Sequence, residues 1–192
     1  VRVRGERGVT LLEVMIVVAI IGIVAAVTIP NLNQMMPWIR VNSAMRELAA
    51  DLVQARTTAI KEQANYSIDL FTGPVGPKNN SQYRFVRGAA ATVRFDFPSG
   101  IIIGDTWPWG PFPRPYDYMN PNPCGNFACS YCGANPNGRI TFTPTGRVAG
   151  NTDGCIILIP QEDTLPGRQR TDRIRAVVVN GMTGSVKTFS PP

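Results

Sequence analysis

Apolar positions fall into three regimes along the chain. From Val9 to Ile29 almost every side chain is apolar, and Thr10, Glu13 and Thr28 are the only polar ones in the twenty-one residues. A helix of about that length, roughly 20 residues, crosses a hydrocarbon core of about 30 Å. Beyond it, Val41, Met45, Leu48, Leu52, Ala55 and Ala59 recur at spacings of three and four. That pattern lays one apolar stripe along an amphipathic helix. Arg40, Arg46, Glu47, Asp51, Arg56 and Lys61 fall mostly off the stripe. The spacing predicts one long helix to about Gln63, its second half packed on a sheet. Pro30 and Pro37 each remove a backbone donor and crowd the preceding turn, which predicts kinks near both.

The third regime is a series of short β-type runs: Tyr66–Phe71, Gln82–Val86, Thr92–Phe97, Ile101–Ile103, Arg139–Phe142, Cys155–Ile159, Ile174–Val179 and Ser185–Phe189. Turn signals separate several of them, with Gly73–Pro77 as a turn and Asn180–Gly184 as the tip of a final hairpin. The runs predict an α+β domain with an antiparallel sheet wrapped over the helix. Between them lies a stretch, Pro98–Gly138, rich in proline, with Trp107, Trp109 and three cysteines. A loop of this length in a compact domain is commonly functional, and it reads as a stapled insertion on an exposed face. The predicted organisation is a leader at 1–8, a membrane or filament-core helix at 9–30, an amphipathic helix at 31–63, and a β-rich domain at 64–192 carrying the insertion at 98–138.

Charge gives the chain a direction. Arg2, Arg4 and Arg7 precede the apolar run, so the positive-inside rule places that end in the cytoplasm and the rest outside. No small-residue cleavage site follows the run, as it would in a secretory signal peptide. Glu13 is the anomaly, because a carboxylate at the centre of a spanning helix costs about 2.5–3.5 kcal/mol on insertion scales. It is therefore a candidate functional group, or a carboxylate reaching the headgroups from about 6 Å of helix rise beyond Val9.

The residues Gly8-Val9-Thr10-Leu11-Leu12-Glu13, after a basic leader, resemble the processing signal of type IV pilins and type II secretion pseudopilins. The resemblance implies cleavage after Gly8 by a membrane prepilin peptidase and N-methylation at Val9. It also implies that Glu13 pairs with the new amine of a neighbouring subunit and sets the axial register. Gly22 and Pro30 fall where the family has Gly and Pro, so Gly22, Pro30 and Pro37 form the candidate set for helix kinks. Further along, Asp51–Lys61, Arg139–Arg147, the Arg175–Asn180 strand and Thr183-Gly184-Ser185-Val186-Lys187 resemble the GspH/FimT pseudopilin domain. The implied partners are other pilins or pseudopilins, prepilin peptidase, the inner-membrane assembly platform and membrane lipid. The implied location is the inner membrane, single-pass, with the globular domain outside, and then a pilus or pseudopilus.

The remaining chemistry is sparse. The net charge is +6 and falls to +4 once Arg2, Arg4, Arg7 and Glu6 are removed with the leader. With no histidine, Ser-His and Cys-His constellations are excluded, and neither a P-loop nor a dinucleotide motif is present. The chain is not expected to be an enzyme or to need a cofactor. Cys124, Cys129 and Cys132 have the spacing of plant-type [2Fe–2S] ligands, with Cys155 downstream, and four thiolates also suit zinc. An exported domain favours two disulfides instead. Either Cys124–Cys129 with Cys132–Cys155, or Cys124–Cys132 with Cys129–Cys155, avoids the tightest loop. Arg168, Arg170, Arg173 and Arg175, with Lys187, could contact DNA phosphates, or could alternate on a solvated strand face. Some FimT-like minor pilins bind DNA through arginines of the last turn, where this chain has Ser185 and Lys187. The leading expectation is thus a minor pilin or pseudopilin near a filament tip. A DNA-uptake minor pilin comes second, and a tethered metal or [2Fe–2S] domain third.

Overall fold

The computed structural model describes residues 9–71, 80–87, 90–104, 137–164 and 170–190. Helix α1 runs Leu11–Glu62. Thr10 caps it: its Oγ1 accepts from the Glu13 backbone N–H at 3.3 Å and its carbonyl accepts from Val14 N–H at 3.3 Å. At the other end Gln63 takes φ +51° and Ala64 N–H donates to the Ala59 carbonyl at 3.3 Å. That is a left-handed stop in which a glutamine stands where glycine is usual, and its own Nε2 caps the Ile60 carbonyl at 2.7 Å.

The chain divides into two compact units, ending at Met36 and beginning at Pro37. In the second unit the eight predicted runs form β1 (Tyr66–Phe71), β2 (Gln82–Arg87), β3 (Ala90–Asp96), β4 (Ile101–Ile103), β5 (Asn137–Phe142), β6 (Gly154–Pro160), β7 (Arg175–Val179) and β8 (Val186–Phe189). They make two four-stranded antiparallel sheets, ordered β3-β2-β1-β5 and β4-β6-β7-β8, rather than the single expected sheet. Periodicity marks strands but does not say which edges pair. Ser81 joins the two sheets: its N–H donates to the Ile101 carbonyl at 3.0 Å and its Oγ accepts from Ile103 N–H at 2.8 Å.

The core is the predicted helix stripe. Val41, Leu48, Leu52, Ala55 and Ala59 are fully buried, against Ile68, Leu70, Tyr83, Ile140 and Phe142 of the first sheet and Ile103, Ile156, Leu158 and Val177 of the second. Ala44, Ala55 and Ala59, small and fully buried on this face of the helix, leave room for the backbone to approach the sheets. Cys155, Ile157, Ile159, Ile174 and Ala176 form a second cluster on the other face of the second sheet. Strand β6 is therefore buried on both faces, which is why it reads as a continuous apolar run. Ile101–Ile103, at the start of the predicted insertion, belongs to this framework and is buried. Residues 105–136, which hold the rest of the insertion, lie outside the described residues, as does the Gly73–Pro77 turn.

Candidate functional site

At the N-terminal end, capping by Thr10 puts Glu13 at the third helical position. Thr-x-x-Glu is the sequence signature of a capping box, a signal that sequence reasoning passed over. A carboxylate there faces the positive end of the helix dipole. Every described large apolar side chain from Val9 to Ile29 is at least half exposed, from 50% at Val17 to 81% at Leu11. Gly22 is also exposed, and a Cβ there would meet nothing within 4 Å, so the chain itself gives no reason for a glycine. The backbone stays helical through Gly22, Pro30 and Pro37. Among the described residues no helix is long and apolar enough to cross a membrane. The described apolar residues run without a polar interruption only from Val14 to Ala26, about 20 Å of helix. Gly8, the candidate cleavage residue, lies outside the described residues.

Two of the clustered arginines do not lie on a solvated face. Arg175 is 3% exposed and Arg173 7%. Arg175 Nε donates to Asn42 Oδ1 at 2.6 Å, Nη1 donates to the carbonyls of Asp172 and Ile174, and the guanidinium lies 5.9 Å from the centre of the Trp38 ring. Arg173 Nη1 donates to Glu162 Oε1 at 2.6 Å, with Asp163 Oδ1 at 3.5 Å. Buried arginines persist only when paired and hydrogen-bonded, and these two anchor β7 to the helix and to the turn after β6. Arg170 is exposed and pairs with Asp172 at 3.2 Å, Lys187 is exposed on β8, and Arg168 lies outside the described residues.

Cys155 is fully buried and disulfide-bonded. A sulfur in a disulfide is not a thiolate, so Cys155 does not supply a fourth metal ligand. Cys124, Cys129 and Cys132 lie outside the described residues.

Three arrangements escaped sequence reasoning. Asp69 on β1 sits directly opposite Arg84 on β2 and Arg139 on β5, bonded to them at 2.9 and 2.5 Å. Burial works to raise the Asp69 pKa, and the two guanidiniums outweigh it, so the carboxyl is held below its usual range. Tyr83 donates to Asp51 across the helix–sheet seam, and burial first, then that bond, pushes the phenol up. Lastly, Arg56 Nε donates to the Gly146 carbonyl at 3.0 Å, and Gly184 packs on the same carbonyl. Arg56, Gly146 and Gly184 come from three of the four segments that carry the GspH/FimT resemblance. Their motifs were visible, but their meeting point was not.

The described residues hold a capped apolar helix bearing a carboxylate in its first turn, continuing as an amphipathic helix packed across antiparallel sheets. The chain matches the prokaryotic N-terminal methylation motif over residues 3–29. It is 39% identical over 88 residues to the type IV major pilin protein PilA of Myxococcus xanthus (strain DK1622), covering 45% of this chain. The match spans 39% of that relative's length, well under half. Among solved structures it is similar to the type IV minor pilin FimU of Pseudomonas aeruginosa (strain PAO1), at 16% identity and a TM-score of 0.45. That likeness covers 79% of this chain and 88% of the FimU chain. A second crystal form of FimU gives a TM-score of 0.44.

Proposed function

We propose that this chain is a minor pilin or pseudopilin subunit of the GspH/FimT type, held in the inner membrane by residues 9–30 before assembly into a pilus or pseudopilus. Prepilin peptidase cuts after Gly8 and Val9 receives the N-methyl group. Glu13 then meets the new amine of a neighbouring subunit, and the assembly platform draws the subunit into the filament, near its tip. Gly22, Pro30 and Pro37 are the positions where the helix bends to fit its neighbours.

The observation that carries this reading is the uncovered apolar helix. Its large side chains are half exposed or more in the subunit alone, so lipid or other helices must supply the cover. Exchanging lipid for helix packing changes hydrophobic burial little, which leaves the Glu13 charge to fix register. The matched methylation motif supports processing.

The capping geometry sets the test. Glu13→Gln keeps the ability to cap and removes the charge, whereas Glu13→Leu removes both. If register depends on charge, both variants are lost from sheared filaments while remaining in membranes. Normal incorporation of Glu13→Gln would reduce Glu13 to a capping residue and remove the assembly role.

A further inference from the structure

Where α1 enters the second unit, it borders a cleft of about 180 Å³. The helix contributes Pro37 and Arg40, the turn before β4 contributes Ser99 and Gly100, and the turn after β6 contributes Gln161 and Glu162. The rim is built, not incidental: Gln161 N–H donates to the Gly100 carbonyl at 2.7 Å and Ile101 pairs with Pro160. Arg40 is half-buried and forms no ion pair among the described residues. Glu162, on the opposite wall, is 46% exposed and held by Arg173. Two residues before Arg40, Trp38 is 47% exposed while Arg175 lies over its ring.

We propose that this cleft seats a phospholipid headgroup of the outer leaflet, its phosphate on Arg40 and its ammonium arm toward Glu162, with Trp38 at the lipid–water boundary. A half-buried guanidinium without a carboxylate calls for an anion, and phosphate matches its forked donors. The carboxylate across the cleft repels a bare phosphate dianion and accepts a zwitterion. Trp38 follows the proposed membrane segment, 9–30, by eight residues in the sequence, toward the outer lipid–water boundary. Tryptophan concentrates at that boundary. The inference rests on the membrane-held state proposed above.

The full chain carrying Trp107→Phe and Trp109→Phe leaves Trp38 as the sole indole. In phosphatidylethanolamine-rich vesicles, a nitroxide on the headgroup should quench Trp38 more strongly than one at mid-acyl depth. In detergent, the protein should retain phosphatidylethanolamine, resist displacement by inorganic phosphate, and bind about tenfold more weakly as Arg40→Gln, with Arg40→Lys between. Thermal unfolding of both variants checks that they fold. Equal retention by Arg40→Gln, stronger mid-acyl quenching, or displacement by inorganic phosphate would overturn the proposal. So would concentration-dependent shielding of Trp38 from both labels, which would assign the surface to a second copy. A chain that does not enter vesicles defeats the membrane reading too, whereas one that enters without headgroup quenching defeats only the headgroup site.

Discussion

Gly184 offers a direct test of how the three motif segments meet. It has φ +65°, and an added Cβ would lie 1.9 Å from the Gly146 carbonyl oxygen and 2.9 Å from Arg56 Nε. Gly184→Ala therefore carries two costs. The left-handed backbone disfavours a side chain by roughly 1–2 kcal/mol, and forcing apart backbone already in contact adds about 1–3 kcal/mol. Gly150 separates the two, because it has φ +84° but nothing within 4 Å of its Cβ position. Gly150→Ala should cost only the conformational part. For a unit of this size, each kcal/mol moves Tm by about 2–4 °C. Gly184→Ala should then lower Tm by about 4–20 °C, and Gly150→Ala by about 2–8 °C. Thermal unfolding of the full chain in detergent, followed by near-ultraviolet circular dichroism, measures both. Arg56→Ala removes a charge-assisted bond of about 1.5–3 kcal/mol, and its effect should not add to that of Gly184→Ala because the two share one carbonyl. A Gly184→Ala loss no larger than that of Gly150→Ala would refute the close approach.

Two further outcomes follow from buried groups. Asp163 is 3% exposed, its Oδ2 has no hydrogen-bond partner among the described residues, and burial pushes its pKa up to about 6 despite Arg173. Between an unfolded value near 3.9 and that folded value, the folded state binds more protons, so this group's contribution to stability falls as pH rises. Asp163→Asn should gain on the order of 2 kcal/mol over the wild type at pH 7 and lose that advantage by pH 4. Denaturant unfolding across this range measures it, and a gap constant with pH would refute it. Removing the disulfide at Cys155 should cost about 2–5 kcal/mol. Intact mass with and without reductant, alongside melting of Cys155→Ser, checks this, and unchanged mass and melting would count against it.

Local pattern was enough for much of the architecture. The helix stripe from Val41 to Ala59 is the buried stripe, and each of the eight predicted runs became a strand within two residues of its expected ends. Side-chain period and turn residues act over neighbouring positions, so they survive in a linear reading. The apolar stretch after Val9 and the Thr10–Glu13 spacing are local in the same sense. Pairing is different in kind. Asp69 meets Arg139 across 70 residues and Arg56 meets Gly146 across 90, and no period in the chain encodes either separation. The division into two sheets also decided the fate of the arginines. Alternating arginines leading into β7 suggested a wet face, whereas packing of that strand beside α1 buried Arg175 and obliged it to find partners. The amino-acid order alone determined which segments become helix or strand and where the uncovered apolar surface lies, because those depend on nearest neighbours. The tertiary structure alone decided which charges are spent inside the domain and that Arg40 is left facing a cleft, because burial depends on which distant strands stack together.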